Sequence, residues 1–524
     1  MVRRRAGRVP RMRLLLVTAA AALSVPGTHK RPIRIAPGLE VTVLEADEGK
    51  PGGVHTGTVT WSGGRALAGY LSENAHLVRG RRVAEIGCGC GLVSLTCCAL
   101  GADAVLATDV EVDALARVAG APGGAQVSTA LFDIFGDAPL PPCDVLVASD
   151  VGYTEKLALG FARRAAEAVA AGATVVTSDS TKLRWTEFLA EASRLTGRDV
   201  RAFNWREKSN PYVRPASVAV LRPFRIGSRS SKLAIVQAER VRSALNVSAA
   251  LIPIDAAGDV KGSTEDAPLA RKGVDFTGSL DDALLDGTID AAVHSCKDIP
   301  PQNRWRAGLT IAACLPRADV QDVLVGPYAS LQDLPDGARV GSASMRRQAQ
   351  LLSRRPDVRV VNIRGNVGAR LAALDAGEVD ALILAKAGLD RLAESRADIH
   401  PIPLDDMLPG AAQGIIACVC RADDAATTAI LDNIDDREAR HCVAAERALL
   451  GVVDESLQRH WPGRPPVAAY CCGSVLRGKL ATPDGSAVVE TSDALRDGES
   501  FEDLGRRVGR ALVEKCGDEF LSGY

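Results

Sequence analysis

Three side chains that can take part in acid–base or ionic chemistry follow an apolar segment in the second half of the chain. Ser295, Lys297 and Asp298 come directly after residues 289–294, a short run rich in apolar residues. This run is typical of a buried strand, and ligand sites in parallel α/β sheets lie beyond the carboxyl ends of such strands. We therefore predict that these three residues belong to a ligand site.

Arginines recur in the same half of the chain where strands give way to loops or helices. A buried guanidinium group must meet an anion, because an unpaired buried charge costs several kcal/mol. Its forked donors match carboxylates, so the set predicts a ligand with several carboxylates, whereas arginines on solvated helix faces would bind nothing. The six arginines are Arg229, Arg346, Arg347, Arg364, Arg370 and Arg391.

A glycine-rich loop in the first half of the chain suits a nucleotide-like ligand. Gly87, Gly89 and Gly91 follow the apolar segment 82–86 and precede a helical pattern that begins near Leu92. Glycines let the backbone approach a ligand, and the helix amino terminus offers free N–H donors. Asp109 ends the next predicted strand about 20 residues on, where a carboxylate can grip a ribose diol.

Four cysteines surround this loop and raise the question of a metal site. Tetrahedral zinc needs four ligands that converge on one point. These thiols flank the glycine loop and enter a helix whose neighbours need the same space, so we expect no metal. They are Cys88, Cys90, Cys97 and Cys98.

Composition indicates a globular α/β protein of several domains. The chain has 524 residues, 47% hydrophobic and 24% charged, too long for one core and too apolar for a disordered chain. Its 63 basic and 64 acidic side chains nearly cancel, which argues against nucleic acid and favours a small ligand. Thirteen scattered cysteines do not suggest a disulfide framework, so a reducing compartment is expected. We also expect a monomer.

Residues 1–39 have the composition of a targeting leader. They are rich in arginine and contain no acidic residue before Glu40. The apolar run from Leu14 to Val25 is shorter than the roughly 20 residues that span a bilayer, so no stable membrane span is expected. An organelle transit peptide, a secretory or bipartite plastid signal and a disordered basic tail remain alternatives.

The glycine loop resembles the first motif of the seven-stranded methyltransferases that use S-adenosylmethionine, and the segments that carry this resemblance are 85–92 (EIGCGCGL) and 144–153 (DVLVASDVGY). The second segment is similar to a motif of the protein-lysine methyltransferase group. The resemblance implies that Asp133 contacts the adenine and that Asp150 and Tyr153 hold the acceptor amine of a protein substrate. It also implies cofactor contacts from Glu85, Gly87, Gly89, Gly91 and Asp109.

The second half of the chain resembles hydroxymethylbilane synthase, also called porphobilinogen deaminase, over about 300 residues. The segments that carry the resemblance are 225–238 (RIGSRSSKLAIVQA), 290–300 (DAAVHSCKDIP), 341–348 (GSASMRRQ), 363–371 (IRGNVGARL), 408–414 (LPGAAQG) and 444–448 (AAERA). That family condenses four porphobilinogen molecules with release of ammonia, on a dipyrromethane primer held by a cysteine. The resemblance implies that Asp298 is catalytic with Lys297 and Ser295 beside it. It implies that the six arginines and Ser344 bind carboxylates.

One departure from the family concerns the primer. Gly463 stands where the family has the primer cysteine, and glycine cannot form the thioether. Cys471 and Cys472 are the nearest thiols, either substitute anchors or ordinary structural cysteines. Three readings therefore stay open: an active synthase, a noncatalytic binder of acidic pyrroles, and a chain whose main activity is methyl transfer.

These observations predict a multidomain α/β architecture. The leader covers 1–39 and a Rossmann-like methyltransferase domain covers 40–220. Two lobes like those of periplasmic binding proteins follow, the first from 221–317 and 412–434 and the second from 318–411, and a small α/β domain covers 435–524. The expected location is the plastid, with mitochondrion and cytoplasm as alternatives, and two merged genes remain an alternative to a natural fusion.

Overall fold

The computed structural model describes residues 27–46, 59–206, 215–255, 277–457 and 465–522. The chain forms two compact units, which are described separately below: unit 1 comprises residues 1–224 with 247–249, and unit 2 comprises 225–246 with 250–524. Gly463 and most of the predicted leader, residues 1–26, lie outside the described residues.

Unit 1 opens with an antiparallel hairpin of β1 (Thr28–Ala36) and β2 (Leu39–Ala46). Ile33 and Ile35 alternate with exposed residues along β1 and pack into the apolar core of the unit. The predicted leader boundary at residue 39 lies inside this hairpin. A count of charges does not distinguish a basic strand with one apolar face from a basic leader.

A seven-stranded sheet forms the centre of unit 1. Its order is β5-β4-β3-β6-β7-β9-β8, parallel except for β9, which runs antiparallel to both of its neighbours. The strand order reverses between β3 and β6, which is the switch point where ligands bind in such sheets. The strands are β3 (Arg82–Ile86), β4 (Ala104–Asp109), β5 (Val127–Leu131), β6 (Val145–Ser149), β7 (Thr174–Asp179), β8 (Ala202–Trp205) and β9 (Ala216–Leu221).

Helices cover both faces of this sheet, and two apolar clusters separate them from it. One cluster lies under the first three helices, and the other is built from alanines of α4 with Phe161 and Phe188 stacked at 5.1 Å. The helices are α1 (Ser62–Glu73), α2 (Leu92–Ala99), α3 (Val112–Gly120), α4 (Glu155–Ala170) and α5 (Trp185–Thr196).

Unit 2 contains two five-stranded mixed sheets. The first has the order β11-β10-β12-β19-β13, and the second has the order β16-β15-β17-β14-β18. The strands of the first sheet are β10 (Phe224–Arg229), β11 (Ala249–Ile254), β12 (Ala291–Ser295), β13 (Leu309–Cys314) and β19 (Ile416–Arg421). Those of the second are β14 (Asp322–Val325), β15 (Arg339–Gly341), β16 (Arg359–Val361), β17 (Ala381–Ala385) and β18 (Ile399–Pro401).

Short helices follow several of these strands and place polar residues at strand ends. A single 3-10 turn, Cys296–Asp298, follows β12 directly, so the predicted strand ends before Lys297 and Asp298. The helices of this part are α6 (Lys232–Ala244), α7 (Gly278–Leu285), α8 (Met345–Arg354), α9 (Val367–Asp375), α10 (Lys386–Arg391) and α11 (Ala425–Leu431).

The carboxyl-terminal part of unit 2 is a three-stranded antiparallel sheet with two long helices. The strands are β20 (Val467–Cys472), β21 (Val475–Ala481) and β22 (Val488–Ala494), and the helices are α12 (Arg437–Leu457) and α13 (Phe501–Ser522). Within the described ranges, no helix combines the length and the hydropathy that a membrane crossing requires.

Candidate functional site

The turn after β12 holds the three residues that the sequence singled out. Ser295 exchanges hydrogen bonds with Gln237 of α6, at 2.9 and 3.2 Å. The Lys297 ammonium donates to Gln413 Oε1 at 3.2 Å. Burial, followed by the charge of Arg347, lowers the pKa of Lys297 to about 8. The turn therefore carries an ammonium group that can lose its proton close to neutral pH.

Asp322, at the start of β14, is the centre of a buried ionic network. It accepts from Arg346 Nη1 at 2.7 Å, from Arg347 Nε at 3.0 Å and Nη2 at 2.8 Å, and from Gln413 Nε2 at 2.9 Å. Burial alone would raise the pKa of Asp322, but the two guanidinium charges hold it well below its usual range. Gln413 therefore links Lys297 to the pair of arginines.

This network corrects one expectation from the sequence. Arg346 and Arg347 are buried, as predicted, but the carboxylate they meet belongs to Asp322 of the same chain. Each arginine also donates to a backbone carbonyl, Arg346 to that of Leu408 and Arg347 to that of Ile383. Two positive charges share one negative charge here, so the site keeps a net positive charge for a ligand.

Two further arginines, Arg391, which is buried, and Arg370, which is half-buried, have less compensation for their charge. Arg370 donates to the Gly365 carbonyl at 2.9 Å, and burial together with the Arg347 charge lowers its pKa to about 10. Arg391 donates to the Gly414 carbonyl at 2.5 Å, and its Nε has no acceptor among the described residues. Burial, followed by the charge of Arg240, lowers the pKa of Arg391 to about 10 as well. Such groups are stabilised by a ligand that brings negative charge.

The other predicted residues divide between a pocket and the surface. Arg229, Ser295 and Asp298 line one small pocket beside α6. Arg364 is exposed on the turn before α9, so it is not among the buried arginines. Ser344 is half-buried at the amino terminus of α8, and its backbone N–H donates to Ser342 Oγ at 3.2 Å.

Sequence reasoning missed several polar residues that position this site. Asp322 and Gln413 connect it, Gln237 holds Ser295, and His294 lines the pocket with Nε2 buried and without a partner among the described residues. Burial, followed by the Arg229 charge, lowers the pKa of His294 to about 4. The available signal for Asp322 was an acidic residue at the head of a wholly apolar strand.

The two candidate anchor cysteines lie on opposite faces of β20. Cys471 is 1% exposed in the apolar core, whereas Cys472 is exposed. The Cys471 N–H donates to Glu446 Oε1 at 2.7 Å, and Glu446 is paired with Arg317. A thioether at Cys471 would displace this core packing, so the structure gives Cys471 a packing role.

The glycine loop of unit 1 lies at the switch point of its sheet. Gly87 has φ +68°, and a Cβ there would lie 2.7 Å from Val151 Cγ1. Asp109 ends β4 and accepts from the N–H groups of Gly89 at 3.0 Å and Glu111 at 3.1 Å. The fold therefore places the loop and the Asp109 carboxylate next to each other. Gly91 ends the loop at the start of α2, with φ +81°.

Glu85 and Asp133 differ in their surroundings. Glu85 is 1% exposed and accepts from the N–H and the hydroxyl of Ser94 in α2; burial raises its pKa to about 8. Glu85 therefore braces α2 beneath the loop from inside the protein, and its contact with a cofactor stays a prediction. Asp133 is exposed in the loop after β5, and its carboxylate accepts from the Phe135 N–H at 2.9 Å.

Asp150 follows β6 with φ +52°, and its carboxylate is hydrogen-bonded within the protein. It accepts from Gly63 N at 2.9 Å, from Ser180 N at 2.7 Å and from the Ser180 hydroxyl. These bonds hold α1 against the loop after β7, and the contact of Asp150 with an acceptor amine stays a prediction. Tyr153 is 41% exposed nearby and remains available to a substrate.

The thiols around the glycine loop pack as apolar side chains. Cys88, Cys90 and Cys97 lie in the apolar core, and Cys98 packs against it. Across the described ranges no group of three or more histidine, cysteine or acidic side chains is arranged to hold a metal ion.

Comparison with known proteins gives a family for unit 2. A family model described as "Porphobilinogen deaminase, dipyromethane cofactor binding domain" matches residues 224–429. The chloroplastic porphobilinogen deaminase of Oryza sativa is 39% identical over 315 residues, covering 57% of this chain and 85% of the rice protein. The porphobilinogen deaminase of Acidithiobacillus ferrooxidans is 40% identical over 308 residues, covering 57% of this chain and 97% of its own length.

Solved structures with similarity to this chain include two types of α/β protein. A ribosomal protein L11 methylase from Lactobacillus delbrueckii is 19% identical, with 34% of this chain and 83% of that chain covered and a TM-score of 0.25. The VFT2 domain of BvgS from Bordetella pertussis is 16% identical. The match covers 43% of this chain and 92% of that chain, with a TM-score of 0.26. The segments that carry the resemblance in the sequence and the extent of the match to curated relatives agree: this chain belongs to the porphobilinogen deaminase family, whose members are transferases.

Proposed function

We propose that unit 2 binds porphobilinogen and condenses four molecules of it into hydroxymethylbilane. The observation that carries this proposal is the excess of buried and half-buried guanidinium groups near Lys297 and Asp298. Arg370 and Arg391 both have a pKa lowered to about 10 by burial, and Arg391 Nε has no acceptor in the described structure. A pyrrole chain that gains acetate and propionate arms at each step supplies the missing anions.

The chemistry assigns separate tasks to the residues of the turn. Loss of ammonia from the aminomethyl group of porphobilinogen leaves a cation, and the Asp298 carboxylate stabilises that positive charge. The new carbon–carbon bond leaves a surplus proton on the pyrrole, which a carboxylate at this place can accept. The Lys297 ammonium, with its pKa near 8, can carry a proton for the departing amine. Arg229 shares the pocket of Asp298 and orients a carboxylate arm.

The dipyrromethane group of this family carries carboxylates and fits the same arginines. Arg370, Arg391 and Arg229 would hold its acidic arms, and it would supply the primer from which the chain grows. Gly463, where the family has the anchoring cysteine, lies outside the described residues. Because Cys471 is buried in the core, we propose that any primer is bound without a thioether to Cys471.

Turnover of porphobilinogen by the full chain tests this function. Hydroxymethylbilane is measured as uroporphyrin fluorescence after acid treatment and oxidation. Asp298→Asn should lower turnover by roughly 10²-fold or more, whereas Asp336→Asn, a carboxylate with a 99% exposed side chain, should leave it unchanged. Binding of porphobilinogen without turnover would instead support the alternative of a synthase impaired by the missing anchor.

We further propose that unit 1 binds S-adenosylmethionine and transfers its methyl group. The supporting observation is the glycine loop beside Asp109 at the point where the strand order reverses. Asp109 would hold the ribose diol and Asp133 the adenine, and S-adenosylmethionine would supply the electrophilic methyl group. Tyr153 would contact the acceptor, which we propose to be a lysine of a protein substrate.

Titration of the full chain with S-adenosylhomocysteine tests this second function. Asp109→Asn should weaken binding by about tenfold, because two hydroxyl-to-carboxylate hydrogen bonds lose their charge. The matched control is Asp113→Asn, an exposed carboxylate in the first turn of α3, which should bind as the wild type does. Equal affinity of all three proteins, or no binding, would contradict the proposal.

We propose the plastid as the location, in line with the chloroplastic relative from rice. The predicted layout of two lobes and a small domain is kept as a proposal, since each of the two five-stranded sheets draws its strands from one of the predicted lobes. A monomer and a natural fusion of the two units are retained as proposals that an intact-mass measurement of the native protein tests.

A further inference from the structure

Two buried thiols of the carboxyl-terminal part of unit 2 lie next to each other without being bonded. Cys442 lies on α12 and Cys471 on β20, and they are 4% and 1% exposed. Cys442 Sγ donates to the Cys471 carbonyl oxygen at 3.4 Å. Both side chains also belong to the same cluster of buried apolar residues, so the two thiols are neighbours in the core.

The surroundings shift the pKa values of these two thiols in opposite directions. The interaction with the Cys471 thiol is the main cause that lowers the pKa of Cys442, and the Arg317 guanidinium adds to it. The same thiol contact, followed by burial, raises the pKa of Cys471. Ionisation of the pair therefore favours Cys442 over Cys471, and the thiolate is the form that attacks in thiol–disulfide exchange.

We propose that Cys442 and Cys471 form a site of reversible thiol oxidation, at which a small disulfide compound converts the pair into one Sγ–Sγ bond. The Cys442 thiolate attacks the reagent disulfide and expels one thiolate, giving a mixed disulfide. Cys471 then gives up its proton and attacks Cys442 Sγ, which releases the second thiolate. The two cysteines lose two protons and two electrons, and the reagent disulfide is reduced to two thiols.

This bond would connect two elements that border the proposed catalytic region. Arg317 donates to Glu446 of α12, to the Cys471 carbonyl and, through Nε, to the Gln413 carbonyl at 2.9 Å. Gln413 in turn holds Lys297. Linking α12 to β20 closes a loop of about 30 residues and should raise the unfolding midpoint of unit 2 by several degrees.

The test uses the reduced full chain and oxidised glutathione under native conditions. Free thiols are then blocked, and peptides are mapped by mass spectrometry before and after reduction. We expect a linked Cys442–Cys471 peptide, with glutathione attached at the exposed Cys472 as proof that the reagent was active. Failure to find the linked peptide while Cys472 is modified, or a link between Cys442 and Cys472 instead, overturns the proposal.

Single variants separate the bond from general effects of oxidation. Cys442→Ser and Cys471→Ser should each abolish both the linked peptide and the oxidant-induced rise in the unfolding midpoint. Cys472→Ser should keep both. An equal oxidant-induced rise of the unfolding midpoint in all three variants contradicts the proposal. If Cys442→Ser or Cys471→Ser fails to fold, the peptide map of the wild type decides the question.

Discussion

Neutralising Asp322 should strongly destabilise unit 2. This carboxylate is 0% exposed and accepts three hydrogen bonds from Arg346 and Arg347 and one from Gln413. In Asp322→Asn two buried guanidinium groups keep their charge without a counter-charge. Breaking a buried pair in this way costs about 3–5 kcal/mol, which corresponds to a fall of roughly 6–15 °C in the unfolding midpoint of a unit of this size.

A nearby ion pair of similar chemistry provides the control. Asp380 accepts from the N–H, Nε and Nη2 of Arg339, but its side chain is 31% exposed and that of Arg339 is 44% exposed. Water solvates both charges, so Asp380→Asn should cost about 1 kcal/mol or less. Hydrogen exchange in α8 reports the local opening free energy without interference from unit 1.

The pH dependence gives a second check on the same variant. The folded pKa of Asp322 lies well below its ordinary value, so its contribution to stability is present above the unfolded pKa of about 3.9 and is lost as the pH falls toward the folded pKa. The difference in the free energy of unfolding between the wild type and Asp322→Asn should therefore be largest at pH 7 and should decrease in strong acid. Equal destabilisation by the Asp322 and Asp380 variants at pH 7 would refute the reasoning.

Three further predictions follow from individual residues. Acylation of Lys297, measured by peptide mass spectrometry, should be half-maximal near pH 8 because burial and then Arg347 lower its pKa; a midpoint near the ordinary value of about 10.4 would contradict this. His294→Gln should flatten the loss of stability between about pH 6.5 and pH 4, since the unfolded imidazole takes up a proton there and the folded one, with its pKa of about 4, does not. Gly87→Ala should weaken S-adenosylhomocysteine binding about tenfold by calorimetry, because of its positive φ and the contact with Val151, whereas Gly172→Ala, also at positive φ but with no neighbour within 4 Å, should not.

Local sequence patterns predicted the elements of the site better than they predicted its partners. The strand before the glycine loop, the helix from Leu92 and the strand that ends at Asp109 follow from apolar runs and glycine positions, which act over a few residues. The engagement of Asp150 by Ser180 depends on two neighbouring strands whose ends meet in the sheet. Single-sequence patterns do not contain that pairing.

For the arginines, too, the sequence predicted local features better than interaction partners. Their spacing predicted burial, which holds for Arg346, Arg347 and Arg391, but not which carboxylate each one meets. Asp322 lies 24 residues from Arg346 and looks like an ordinary strand residue in the sequence. Arg364 carries the same local signal as Arg370, yet Arg364 is exposed and Arg370 is half-buried.

Equilibrium binding of porphobilinogen and of its dimethyl ester to the full chain tests the central claim most directly. Both compounds keep the pyrrole and the aminomethyl group, and only the free acid offers carboxylates to the guanidinium groups of the site. Because each charged hydrogen bond contributes about 1.5–3 kcal/mol, we predict that the acid binds at least tenfold more tightly and that Arg370→Gln reduces this preference. Equal affinities for acid and ester, or no binding of either, would contradict the assignment of this site to carboxylated pyrroles.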